Sequence, residues 1–99
     1  MENNKRLSNS VKEDAFNEWQ KLYNEMDSLS FGGDFKSFDD LEAKTNFQAK
    51  LVKFSKKYNF YHIFKDKISH NLKKLNDRNY FEILLRVCVH QACSHPSNK

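Results

Sequence analysis

The sequence predicts an all-α fold, a single compact bundle of four to five short helices over residues 10–95, behind a disordered polar tail at 1–9. Three observations carry this. Apolar residues recur at steps of three and four along most of the chain, the period of one helix face. No segment alternates apolar and polar long enough to make a half-buried strand. Two Gly and one Pro in 99 residues leave little of the turn chemistry that β-rich folds need. The length allows one domain. Only 38% of residues are hydrophobic, but 14% are aromatic, and each aromatic side chain can bury about 150–250 Å².

The first helix is expected over 11–28. Ser10 and Glu13 have the spacing of a capping box. Behind them Ala15, Trp19, Leu22, Met26 and Leu29 form a face that Phe16 and Tyr23 widen. Gly32 and Gly33 then break the pattern. Ser37 is the expected cap of a second helix, with Asp39 and Asp40 complementing its dipole. Along it Phe47, Leu51, Phe54 and Tyr58 make the stronger face, and Leu41, Thr45, Gln48 and Val52 a weaker one. A break at Thr45-Asn46 would divide residues 37–58 into two helices. Lys53, Lys56 and Lys57 suit the C-terminal end.

Asn59 separates the next element. Tyr61, Phe64, Ile68, Leu72 and Leu75 step by three, four, four and three, which predicts one further helix. Asn76-Asp77-Arg78-Asn79 reads as a turn, with Asn79 and Glu82 spaced as a cap. The last helix, over 80–93, is apolar almost all round, apart from Glu82, Arg86 and His90. Such a helix belongs in the middle of a bundle. Pro96 stops it and biases His95 away from helical geometry.

No apolar run approaches the roughly 20 residues of a membrane span, and no signal-peptide core follows Met1. Cys88 and Cys93 are five apart on a helix, so their Cα atoms would lie about 8 Å apart. That exceeds the ~7 Å reach of a disulfide. Reduced thiols are expected, and with them a cytoplasmic location.

Charge is divided along the chain. Residues 1–43 hold five Lys or Arg against ten acids, a net of −5. Residues 44–99 hold twelve against three, a net of +9. The expected basic patch is Lys50, Lys53 and Lys57 on one edge of the second helix, with Lys67, His70 and Lys74 on one edge of the third. An alternative acidic face comprises Glu13, Asp14, Glu18, Glu25 and Asp27. Phe31, Phe35 and Tyr61 are the candidate exposed aromatics. Fourteen of the seventeen cations are Lys, whereas carboxylate and phosphate clamps favour the Arg fork. A merely solvated lysine face therefore stands beside the functional reading.

No catalytic or metal-binding residue is expected. His62 and His70 are eight apart rather than the four that a helical metal pair uses. Cys88, Cys93 and His95 fit no zinc spacing. A Cys–His nucleophile pair would need a thiol of lowered pKa, and both cysteines sit at the disfavoured C-terminal end of a helix. Glu13-Asp14 and Asp39-Asp40 are explained by first-turn dipole complement. Gly32-Gly33 lacks the strand and Lys-Ser/Thr of a phosphate loop.

The expected function is that of a small intracellular protein-binding module, not an enzyme and without cofactors. In size and lack of catalytic motifs it is similar to small helical inhibitors such as toxin-immunity proteins and phage-encoded blockers of host enzymes. The expected partner is then a toxin or a host enzyme, blocked by steric and charge complementarity. The alternative is nucleic-acid binding by the basic 44–78 region, with aromatics stacking on bases.

Overall fold

The computed structural model describes residues 2–31 and 37–93, with side chains from Lys12 onward. These residues form five helices: α1 (Glu2–Ser28), α2 (Phe38–Lys57), α3 (Tyr61–Phe64), α4 (Leu72–Leu75) and α5 (Arg78–Ala92). A 3₁₀ turn at Lys65–Lys67 follows α3, and no strand occurs among the described residues. The fold is the expected all-α bundle, although α1 and α2 are long. Gly32, Gly33, Phe35, His95 and Pro96 lie outside the described residues.

α1 begins at Glu2 rather than after Ser10, so residues 2–9 are helical. The stretch contains no Gly or Pro, and its Glu, Lys, Arg and Leu are good helix formers. Nothing there stops a helix once residues 12–28 are docked. α2 is a single helix with no break at Thr45, whose hydroxyl donates to the Leu41 carbonyl at 2.9 Å. Its Ser37 cap is as expected, the side chain accepting from the Asp40 N–H at 3.1 Å. Asn59 ends it in the left-handed region, at φ 65°, which Asn tolerates better than most residues.

The expected helix over 61–75 is broken, despite its periodic apolar residues. The backbone turns extended at Ile68, with ψ 132°. The Ser69 N–H donates to the Tyr80 hydroxyl at 2.9 Å, not to a helical carbonyl. Asn71 accepts from the Lys73 N–H at 2.9 Å and starts α4. Ser and Asn side chains compete here with the helix for backbone groups.

α5 runs antiparallel to α1. Asp27 meets Arg78 at one end at 2.6 Å, Trp19 Nε1 donates to the Leu85 carbonyl at 2.8 Å, and Phe16 lies beside Val89. The helix starts at an Asp77 cap, two residues before the expected Asn79. α5 touches all four other helices and buries Tyr80, Phe81, Leu84, Leu85 and Cys88. It is central, but Ile83 is 51% exposed. Phe47, Leu51 and Phe54 of α2, and Phe60 and Phe64 around α3, complete the core with Ala15, Leu22 and Met26 of α1.

Cys88 is fully buried, and burial, with Cys93 nearby, pushes its thiol up to about 12. Cys93 is raised as well, by burial. Both thiols are free. Cys88 should therefore label slowly with a thiol reagent in the native protein and quickly in denaturant. A thiol harder to ionise when folded stabilises the fold below its unfolded pKa, and that contribution fades between about pH 9 and 12. Fast native labelling of Cys88 at neutral pH would contradict the burial.

Candidate functional site

The two halves of the charge pattern meet inside the molecule. Glu25 of α1 accepts from Lys50 Nζ at 2.9 and 3.0 Å. Glu18 accepts from Lys57 Nζ at 3.1 Å and from the Tyr58 hydroxyl at 2.9 Å. Desolvation and then Glu18 push the Tyr58 hydroxyl up to about 12. Arg78 donates to Glu82 at 3.0 Å and to Asp27 at 2.6 Å. Those carboxylates, Glu82 first, raise its pKa above the usual guanidinium value. Two acids of the expected acidic face, Glu18 and Glu25, thus pair with two lysines of the expected basic patch, and a third, Asp27, pairs with Arg78. Glu13 and Asp14 remain exposed.

The rest of the basic charge is concentrated elsewhere. Lys67, His70 and Lys74 do not share a helix edge, because the helix that would align them is interrupted. They lie on the 3₁₀ turn, the following loop and α4. With Lys65 and Lys73 they make residues 65–74 a segment of four lysines, one histidine and one acid, Asp66. All six of those side chains are exposed. No described residue forms an ion pair with any of the four lysines, nor with the exposed Lys53 of α2. Leu72, in the same segment, is 56% exposed.

The base of this segment is anchored. The Tyr80 hydroxyl that receives the Ser69 N–H itself donates to Gln48 Oε1. Burial raises the Tyr80 hydroxyl pKa, so at neutral pH it keeps the proton this bond uses. α2, α5 and the loop are tied at one point, and Leu75 of α4 is buried.

Of the aromatics expected at the surface, Phe31 and Tyr61 are only partly exposed, and Phe35 lies outside the described residues. Phe31 is half-buried, packing on Phe81 with ring centroids 5.9 Å apart. Tyr61 lies under the Lys56 ammonium, 4.9 Å from its ring centroid. Phe47, Phe54, Phe60 and Phe64 are all core residues. A basic stretch that stacks bases needs exposed rings, and these rings are spent on the core, because the chain has few aliphatic residues to fill it.

Lys44 is a residue that the sequence reading passed over. Its side chain is 0% exposed. The ammonium lies 3.1 Å from Asp40, donates to Asn76 Oδ1 and sits 4.9 Å from the Phe31 ring centroid. It joins α2, the end of α4 and the residue before the glycine loop. Its signal is in the spacing: Lys44, Phe47, Leu51 and Phe54 step by three, four and three on the buried face. Asp40 stands one turn earlier.

A shallow groove of about 320 Å³ runs between α1 and α5 beside Trp19, Tyr23 and Val89. Phe16, Trp19 and Tyr23 stack along it with centroids 5.7 and 5.5 Å apart. Trp19 already has its N–H satisfied by Leu85, so this stack braces α1 on α5. Among the described residues no group of three or more His, Cys, Asp or Glu is placed to hold a metal ion. No described helix is long and apolar enough to cross a membrane. Comparison with protein-family models, curated proteins and solved structures finds no match to this chain.

Proposed function

We propose that the protein is a binding module that docks an acidic protein surface through residues 65–74 and works by occupying that surface rather than by catalysis. The observation that carries the reading is the segment itself: four exposed lysines without an ion-pair partner among the described residues, with an exposed Leu72 in the same stretch of chain and an anchored base. Unpartnered cations steer an acidic partner and raise the association rate. An exposed apolar side chain in that stretch is the kind of anchor that governs dissociation. Inhibition, including neutralisation of a toxin or host enzyme, is the form of activity such a surface supports, because steric cover is all it needs. The free cysteines suit a reducing compartment such as the cytoplasm.

Nucleic acid is the second reading, and the lysines favour it. Against it stand the buried rings and the exposed leucine, since phosphate backbones offer nothing apolar to Leu72. A photo-crosslinking side chain at position 72 discriminates between the two in the cell that makes the protein. The expected adduct is a protein, joined through an acidic peptide, and Lys65→Glu, Lys67→Glu, Lys73→Glu and Lys74→Glu together abolish it. An adduct with nucleic acid, or a protein adduct indifferent to the four reversals, would refute the reading.

A further inference from the structure

We infer that α1 masks a second anion-binding edge on α2, with Glu18 and Glu25 acting as internal competitors of an acidic partner. This rests on the proposed reading that such a partner exists. The edge consists of Lys50, Lys53 and Lys57, spaced i, i+3, i+7 along one side of α2. α1 covers its two ends, Glu25 holding Lys50 at 2.9 Å and Glu18 holding Lys57 at 3.1 Å. Lys53 lies between them, exposed and without an ion-pair partner among the described residues. Two of three lysines are thus engaged by carboxylates of the same chain, in the arrangement that a partner's carboxylates would take up.

The cover is exchangeable. The side chains of Lys50 and Lys57 are 54% and 59% exposed, and those of Glu25 and Glu18 are 35% and 39% exposed. Exposed pairs of this kind shift an equilibrium by only about 1.4- to 5-fold each. α1 does not depend on them for its place in the bundle. Ala15, Leu22 and Met26 are buried, and α1 lies chiefly against α5. Between α1 and α2 an open cleft of about 280 Å³ is lined by Glu18, Lys50, Lys53 and Lys57. Incoming carboxylates can reach the lysines there with the core intact. The consequence is a threshold: weakly acidic surfaces lose to Glu18 and Glu25, and a densely acidic one displaces them.

The test uses a short labelled poly-glutamate peptide at low ionic strength, with binding read by fluorescence anisotropy and the fold of each variant checked by circular dichroism. Glu18→Gln with Glu25→Gln should tighten binding about 2- to 25-fold, the product of two exposed pairs. Adding Lys50→Gln, Lys53→Gln and Lys57→Gln should remove the gain. Glu13→Gln with Glu42→Gln makes the same change in net charge at exposed carboxylates that hold no lysine, and should stay close to the wild type. Equal tightening by the two double variants would show a net-charge effect and overturn the inference. So would no tightening, or no binding by any form. Lys67→Glu with Lys73→Glu and Lys74→Glu is read separately. If it leaves binding unchanged while Glu18→Gln with Glu25→Gln tightens it, the docking segment fails and the masked edge stands. The opposite pattern fails the masked edge alone.

Discussion

Replacing Phe81 by alanine is expected to destabilise the protein by about 3–5 kcal/mol, the range for a buried aromatic. Phe81 is fully buried at the centre of the bundle. Its ring meets Phe47 edge-on at 5.1 Å, Tyr80 at 5.1 Å and Phe31 at 5.9 Å. Truncation removes the ring and leaves a hole bounded by three other rings, which are too rigid to collapse into it. For a domain stable by roughly 5–15 kcal/mol, that loss takes a large share of the folded population. Chemical denaturation followed by circular dichroism measures it. A change below about 1 kcal/mol would mean that the site relaxes freely and that α5 is not the element around which the others pack.

Lys44→Ala is expected to cost about 3–5 kcal/mol, as breaking a buried ion pair from one side does. The substitution leaves Asp40, whose side chain is only 14% exposed, without its Lys44 contact. It also removes the ammonium from Asn76 Oδ1 and from the face of Phe31. Lys44→Met, which keeps most of the volume and discards the charge, should recover part of the loss, because well-packed apolar replacements of buried charges are often tolerated. Equilibrium denaturation of both variants reads the difference. An alanine variant as stable as the wild type would show that the ammonium contributes no net stability.

Long, strongly periodic segments were the legible part of this fold. The face of Phe47, Leu51 and Phe54 and the apolar α5 could be read directly, because burial of a continuous stripe is what stabilises such helices. The 61–75 helix was periodic too, and the reading failed there for a specific reason. Periodicity reports which residues could share a face. It does not report that Ser69 and Asn71 offer the backbone other hydrogen bonds, or that the Tyr80 hydroxyl, eleven residues on, captures the Ser69 N–H. With that helix broken, Leu72 left the expected apolar stripe and became an exposed side chain among lysines. The site was half legible for a related reason. The concentration of lysine over 44–78 is plain in the sequence. Which lysines are neutralised depends on α1 lying alongside α2, a contact between residues some 25 to 40 apart in the chain. Of the docking segment the charge pattern points only to Lys67, His70 and Lys74, and Lys53 is the lysine of the α2 edge that has no ion-pair partner among the described residues.

Binding to a random DNA duplex at physiological salt tests the central claim most directly, because it asks whether the unpartnered lysines serve a protein or a phosphate backbone. Non-specific electrostatic binding under those conditions falls in the range of about 10⁻⁴ to 10⁻⁶ M, with a log–log salt slope near −0.9 per phosphate neutralised. Binding at the weak end of that range, about 10⁻⁴ M or weaker, is expected, since the segment offers few lysines, no arginine and no exposed ring for a base. Sub-micromolar binding, steep in salt and lost on reversal of Lys65, Lys67, Lys73 and Lys74, would contradict it and make the protein a nucleic-acid binder.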